Sequence, residues 1–153
     1  MGELPLPTLD ALTRPFWEGC KEQRLLVQQC PETNRLIFPP QYRSPWAPLL
    51  KPLWTQVSGR GTLWSAAQPH PPLVEPFASL APYNIVVVSL EDDPRVRMVG
   101  NLVAEAGGGI NALSWERLRP GLLLEVEFQP VTQNTGSADE TWWFPRWRII
   151  DDA

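Results

Sequence analysis

Leu122-Leu123-Leu124-Glu125-Val126-Glu127-Phe128 is the stretch on which the fold turns. Leu122, Leu124, Val126 and Phe128 alternate with Leu123, Glu125 and Glu127, the period-two pattern of a strand with one face on a core. Arg119-Pro120-Gly121 turns the chain into this strand, and Asn134-Thr135-Gly136-Ser137 marks the turn after it. Glu140 to Ile149 then reads as a last strand, crowded by Trp142, Trp143, Phe144 and Trp147. Alternation cannot bury Trp142 and Trp143 on one face, so one of them is expected to point outward.

Upstream the same kind of pattern recurs. Tyr83 to Leu90 is a strand whose centre, Ile85-Val86-Val87-Val88, is apolar on both faces and therefore expected to be covered from both sides. Glu91-Asp92-Asp93-Pro94 is a turn, and Arg95 to Val103 returns with Val96 and Met98 on one face and Arg95 and Arg97 on the other. Trp54 to Ser58 and Thr62 to Ala67 are expected to form a strand pair around a bulge or tight bend at Gly59-Arg60-Gly61. Gln68 to Pro82 reads as loop, Ala104 to Gly109 as a Gly-rich connection, and Ile110 to Leu118 as one or two helical turns. Some five strands in about 100 residues, with one short helix late in the order, suit a small Greek-key barrel of the OB type: a mainly β protein.

The N-terminal third is different. Met1 to Pro7 is a Pro-bearing arm, and Thr8 to Arg24 reads as helix, with Pro15 in its first turn and Thr13 as candidate cap. Phe16, Trp17 and Cys20 make its apolar stripe, which leaves Cys20 a packed helix thiol. Leu25 to Gln29 and Leu36 to Phe38 are short strands around Cys30-Pro31-Glu32-Thr33-Asn34-Arg35. Pro39, Pro40, Pro45, Pro48 and Pro52 then remove so many backbone donors that an extended connector is expected, with Trp46 and Trp54 in need of cover. The chain divides accordingly into a helix-and-ribbon segment, 1–53, and a barrel, 54–153.

Composition narrows the function classes. With 18 Pro in 153 residues an all-helical bundle is excluded, while 43% hydrophobic and 20% charged residues supply a core. A net charge of −4 argues against a grip on a nucleic-acid backbone, although OB-folds often bind single strands. No apolar run approaches the roughly 20 residues that span a bilayer, and Met1 to Leu12 lacks the pattern of a secretory signal. Two cysteines make no disulfide framework, so a reducing cytoplasm is the expected setting.

The helix motif Pro15-Phe16-Trp17-Glu18-Gly19, the run Phe38-Pro39-Pro40, the motif Val57-Ser58-Gly59-Arg60-Gly61-Thr62 and Gly100-Asn101-Leu102 occur in that order. The combination resembles the family designated domain of unknown function thirty-five, over nearly the whole chain from Arg14 to Trp147. The resemblance implies an N-terminal helix, a rubredoxin-like zinc ribbon and a C-terminal OB-fold. It also implies two Cys-x-x-Cys knuckles, which here align on Cys30-Pro31-Glu32-Thr33 and Ser44-Pro45-Trp46-Ala47. Asn34 holds the place of the Gly that usually follows the first knuckle, and Asn tolerates the left-handed backbone such a turn needs. Cys30 is thus the single remaining thiol, with Thr33, Ser44 and Ala47 at the other ligand positions. One thiolate cannot close a tetrahedral zinc site, so a metal-free flap held by packing is expected; Glu32 and His70 are the alternative replacement ligands.

No catalytic constellation accompanies these motifs. His70 is the only histidine, in Gln68-Pro69-His70-Pro71-Pro72, and stands either as a contact to substrate or partner or as an exposed loop residue. Gly107-Gly108-Gly109 lacks the Lys and Ser/Thr of a phosphate loop, and no Gly-x-Ser-x-Gly elbow occurs. Arg60, Arg95, Arg97, Arg146 and Arg148 offer positive potential to a CoA phosphate or adenine, or are solvated strand residues. Of these, Arg60 and Arg97, together with His70, are the candidate CoA contacts, and Trp46, Trp142 and Trp143 the candidate partner contacts. The resemblance implies a non-catalytic accessory subunit of a thiolase-like acyl-CoA enzyme, an aldolase or acyltransferase that includes steroid side-chain cleavage among its chemistries. A CoA thioester is then the ligand of the complex, and no cofactor belongs to this chain. The alternatives are a partner of a MaoC-like enoyl-CoA hydratase and a stand-alone acyl-CoA binder.

Overall fold

The computed structural model describes residues 4–134, 136 and 138–151. The first three residues of the arm, Thr135 and Ser137 of the expected turn, and Asp152 and Ala153 of the tail lie outside them. Helix α1 spans Arg14–Lys21 and buries Phe16, Gly19 and Cys20. Thr13 stands at its N-cap without a side-chain capping bond. Asp10 organises the entry instead: its carboxylate accepts from the Thr13 N–H at 2.7 Å and from the Thr13 hydroxyl at 2.8 Å. Gly19 faces the chain that follows so closely that a β-carbon there would lie 2.7 Å from the Leu26 side chain and 2.9 Å from the Arg24 carbonyl oxygen. The glycine of the helix motif is therefore a packing requirement.

Strands β1 (Leu26–Gln29), β2 (Leu36–Ile37) and β3 (Leu53–Gln56) form a three-stranded antiparallel sheet in the order β2-β1-β3. The expected partner of β3 was the strand beyond Gly61; it pairs with β1 instead, from Leu26 opposite Gln56 to Gln29 opposite Leu53. The Val57 N–H extends this ladder by donating to the Leu25 carbonyl at 3.0 Å. Gly59, at φ 76, then turns the chain out of the ribbon, and a β-carbon there would meet Val126 at 2.8 Å. The Gly59-Arg60-Gly61 segment is accordingly the corner between two sheets, not a bulge within one strand pair.

The barrel comprises β4 (Arg60–Ala67), a one-turn helix α2 (Phe77–Leu80), β5 (Ile85–Leu90), β6 (Arg97–Gly100), β7 (Leu102–Val103), β8 (Leu123–Asn134) and β9 (Asp139–Asp151). The sheet runs β6-β5-β4-β8-β9-β7, and β6 and β7 are two halves of one segment interrupted at Asn101. The last pair in the order, β7 with β9, is parallel, placing Leu102 opposite Trp147. Because β6 runs on into β7, the two ends of the sheet meet and no long edge is left open. The core takes Val86, Val88 and Leu90 from β5, Met98 from β6, Leu102 from β7, Leu124 from β8 and Trp147 from β9. Phe16 and Cys20 of α1 and Val27 of β1 belong to this same core.

Strands β8 and β9 run beyond the barrel as one hairpin, in register to Asn134 opposite Asp139. Trp17 of α1 sits edge-on against Trp142 and Phe144, each with ring centroids 5.5 Å away. The expectation that Trp142 or Trp143 points outward is therefore not met. Trp142 is 8% exposed beneath the helix and donates its indole N–H to Glu140, while Trp143 packs against the barrel core. The strand alternates as expected, but α1 supplies a second layer on the face that would otherwise be wet. The segment 68–82, expected as loop, contains α2 and is anchored by Leu73, Phe77 and Leu80 on Tyr83, Val103 and Ile110.

Candidate functional site

The two aligned knuckles do converge. In the first, the Asn34 N–H returns to the Cys30 carbonyl and the Cys30 N–H donates to the Arg35 carbonyl, each at 2.9 Å. Asn34 adopts φ 58, the left-handed backbone expected of it. In the second, the Ser44 hydroxyl accepts from the Trp46 and Ala47 N–H groups at 3.3 Å each. Cys30, Ile37 and Ala47 form a small buried cluster of their own, and Ser44 is buried beside it. The Arg35 guanidinium lies 4.0 Å above the Trp46 ring and staples one knuckle to the other.

Burial pushes the Cys30 thiol up, but hydrogen bonds from the Ser44 and Thr33 side chains and from the backbone of Thr33 and Glu32 outweigh it and bring the thiol down to about 7. The thiol thus meets two hydroxyls. One thiol, two hydroxyls and a methyl are not the four sulfur or nitrogen donors that structural zinc requires, so the donor set does not fit the metal. Among the described residues no cluster of three or more His, Cys, Asp or Glu side chains is arranged to hold a metal ion. Cys20 differs sharply from Cys30: it is packed in the core as expected, and burial pushes its thiol up to about 12.

The sequence motifs prove to be the joints between ribbon and barrel. Ser58 places its N–H 3.1 Å and its hydroxyl 2.7 Å from the Asp92 carboxylate, which ties the corner to the β5–β6 turn. The Gly59 carbonyl accepts from the Val126 N–H at 2.7 Å. At the interruption between β6 and β7, Asn101 donates to the Asn84 carbonyl at 2.5 Å and accepts from the Arg146 guanidinium. Asn84, buried, bonds the carbonyls of Leu102 and Ile110 at 2.7 and 2.8 Å and the Leu102 N–H at 2.6 Å. The reading of the sequence missed Asn84 and missed the role of Arg146, because their partners lie 17 to 45 residues away.

Of the candidate CoA contacts, Arg60 lines a cavity with Trp64, on which Arg97 stacks, whereas His70 lies apart. Arg60 and Arg97 lie on the outer face of the barrel, on strands separated by β5, and Arg97 stacks on Trp64 with its guanidinium carbon 3.8 Å from the ring centroid. His70 lies past the far end of β4, in a shallow cavity of about 320 Å³ formed with Gln68, Pro69, Pro71, Ala81 and Pro82. Among the candidate partner residues, Trp46 is partly exposed under Arg35, whereas Trp142 and Trp143 are covered as described above. A cleft of about 510 Å³ lies where ribbon, Gly-rich loop and β8 meet. Its carboxylates are engaged: Glu127 accepts from the Gly107 N–H at 3.0 Å and from the Gln129 amide at 2.7 Å, and Arg148 reaches Glu125 at 3.3 Å. Its one hydroxyl, that of Ser58, is bonded to the Asp92 carboxylate, and no His, Cys or Lys is among its lining residues.

A helix, a three-stranded ribbon and a closed OB-type barrel, joined by structural motifs, define a ribbon–OB protein. Two family models match it: the rubredoxin-like zinc ribbon domain of ChsH2 over residues 17–43, and the C-terminal OB-fold domain of ChsH2 over residues 54–129. The chain belongs to this ChsH2 family, the one its motifs resemble. The ribbon match ends one residue before the altered second knuckle begins at Ser44. A solved structure described as "Ltp2-ChsH2(DUF35) aldolase" superposes with a TM-score of 0.74 at 20% identity, covering 95% of this chain and 100% of that one. No curated protein sequence matches significantly.

Proposed function

We propose that this chain is the non-catalytic accessory subunit of a thiolase-like acyl-CoA enzyme, an aldolase or acyltransferase, including the class that shortens steroid side chains as CoA thioesters. It stabilises the complex and shapes the substrate channel, and the reacting atoms are handled by the partner. The observation that carries this reading is the likeness of 95% of the chain to a structure described as a ChsH2-containing aldolase. The engagement of the carboxylates that line the cleft between ribbon and β8 supports it. A CoA thioester is the ligand of the assembled complex in this reading, and the ribbon works without structural zinc.

The test is co-expression with the thiolase-like subunit of the same genome, followed by assay of the complex and of each chain alone for retro-aldol cleavage of β-hydroxyacyl-CoA thioesters and for acyl transfer. A stable complex with activity that neither chain shows alone is the expected result. Equal activity of the isolated chain, or co-purification with a MaoC-like hydratase in place of the thiolase-like subunit, overturns the reading. Elemental analysis of the purified chain addresses the ribbon: stoichiometric zinc would contradict the metal-free assignment.

A further inference from the structure

Of the eleven large apolar side chains exposed among the described residues, five fall within the twelve residues from 42 to 53: Tyr42, Trp46, Leu49, Leu50 and Leu53. Leu49 is 90% exposed, Tyr42 70% and Leu53 58%. They sit on the connector that carries the altered second knuckle, at the tip of the ribbon. Exposed apolar groups clustered this closely mark an interaction surface, whereas scattered ones do not.

This tip is pre-shaped. The Ser44 N–H donates to the Leu50 carbonyl at 3.2 Å, the Leu50 N–H to the Ala47 carbonyl at 2.9 Å, and the Arg43 guanidinium to the Leu49 carbonyl at 3.2 Å. With the Ser44 hydroxyl bridging Trp46 and Ala47, the loop is closed on itself and holds Leu49 at its apex. A surface fixed before it meets its partner avoids most of the ordering cost of association.

The charge around the tip says what it fits. The chain as a whole carries −4, yet no carboxylate occurs between Glu32 and Glu75, a stretch that includes Arg35, Arg43, Lys51 and Arg60. Among the described residues, neither Arg43 nor Lys51 pairs with a carboxylate. Asp93 lines a cavity with Arg35 and Trp46 but is paired with Arg95, so a second copy of this tip would bring Arg43 and Lys51 against their equivalents without an unpaired acid in that cavity. Two flanking cations fall short of the basic clusters of four to eight that hold proteins on anionic membranes. We infer that the ribbon tip, Tyr42 to Leu53, docks into an apolar pocket rimmed by Asp or Glu side chains on the partner subunit. The inference rests on the accessory-subunit reading and locates its interface.

The experiment measures the affinity of the purified chain for the thiolase-like subunit at low and high salt. Wild type is compared with Leu49→Asp/Leu53→Asp, with Arg43→Glu/Lys51→Glu, and with Val99→Asp, an exposed position on the barrel (72%). Thermal melts verify that each variant is folded. The double leucine variant is expected to bind at least tenfold more weakly, the charge variant to associate more slowly with a flattened salt dependence, and Val99→Asp to bind as wild type. Unchanged affinity of the leucine variant in a complex that still forms overturns the docking surface and leaves the accessory role standing. Loss of binding in Val99→Asp alone moves the interface to the barrel and overturns it too. If wild type forms no complex, the accessory role fails and the docking surface falls with it. A dimer of the chain alone that the leucine variant dissolves, or wild-type binding to phosphatidylserine vesicles that it abolishes, assigns the tip to another occupant.

Discussion

Ribbon and barrel are adjacent in one chain but are held together by different means. The barrel has a continuous core running from α1 and β1 through β5 and β8 to Trp147. The knuckle end of the ribbon has three buried apolar residues, Cys30, Ile37 and Ala47, and depends on short-range hydrogen bonds around Ser44. Sheets of two or three short strands are marginal by themselves, which is why ribbons of this size are usually stapled by a metal. Here two hydroxyls bond one thiol, and Arg35 stacks on Trp46 across the two knuckles. Four knuckle positions can thus converge without four metal ligands, in a sheet that is anchored in a larger core.

The contrast is broken most completely by restoring the ligands. Thr33→Cys/Ser44→Cys/Ala47→Cys places three thiols beside Cys30 at converging positions. The triple variant is expected to take up one zinc per chain, with binding free energy on the order of 10 kcal/mol at neutral pH, measured by elemental analysis and chelator competition. Failure to bind would mean that the knuckles no longer converge closely enough.

Next in size is Trp147→Ala. This side chain is nearly fully buried at the closure of the barrel, and its removal is expected to cost about 3–5 kcal/mol in denaturant unfolding. Since α1 and β1 share that core, β1 of the ribbon should unfold together with the barrel. A separate earlier transition of β1 would show that the two regions do not share a core.

Ser44→Ala acts on the ribbon alone. It removes the acceptor for the Trp46 and Ala47 N–H groups and should cost about 1–2 kcal/mol, seen as faster amide exchange at those two residues while barrel amides keep their protection. The smallest effect is on pH. The Cys30 thiol is held at about 7, below its ordinary 9.0, so the folded ribbon favours the thiolate. Its contribution is complete above pH 9 and is lost as pH falls through 7. Protection of residues 30–47 should follow that course in wild type and be flat in Cys30→Ala.

Much of the fold is legible in residue order. The alternation in 122–128, the inward Val96 and Met98, the packed thiol of Cys20 and the left-handed turn at Asn34 depend on local period or local backbone preference, and the structure has each of them. What was not legible depends on distant partners. The pairing of β3 is decided by the β1 strand and the Leu25 carbonyl, some thirty residues before it. The cover over Trp142 comes from a helix at the other end of the chain. Among the candidate site residues, the convergence of the four knuckle positions follows the aligned spacing, whereas the meeting of Arg60 and Arg97 around Trp64, with His70 apart, is a matter of strand order that no spacing displays.

By itself, then, the sequence determined the class of the chain: a helix, a ribbon and an OB-type barrel, because periodicity, proline placement and ligand identity are local properties. Only the tertiary structure decided which surface is left uncovered. The helix that hides Trp142 comes from the other end of the chain, whereas the loop that holds Leu49 is closed by local bonds and leaves it exposed; burial is a property of the assembled fold.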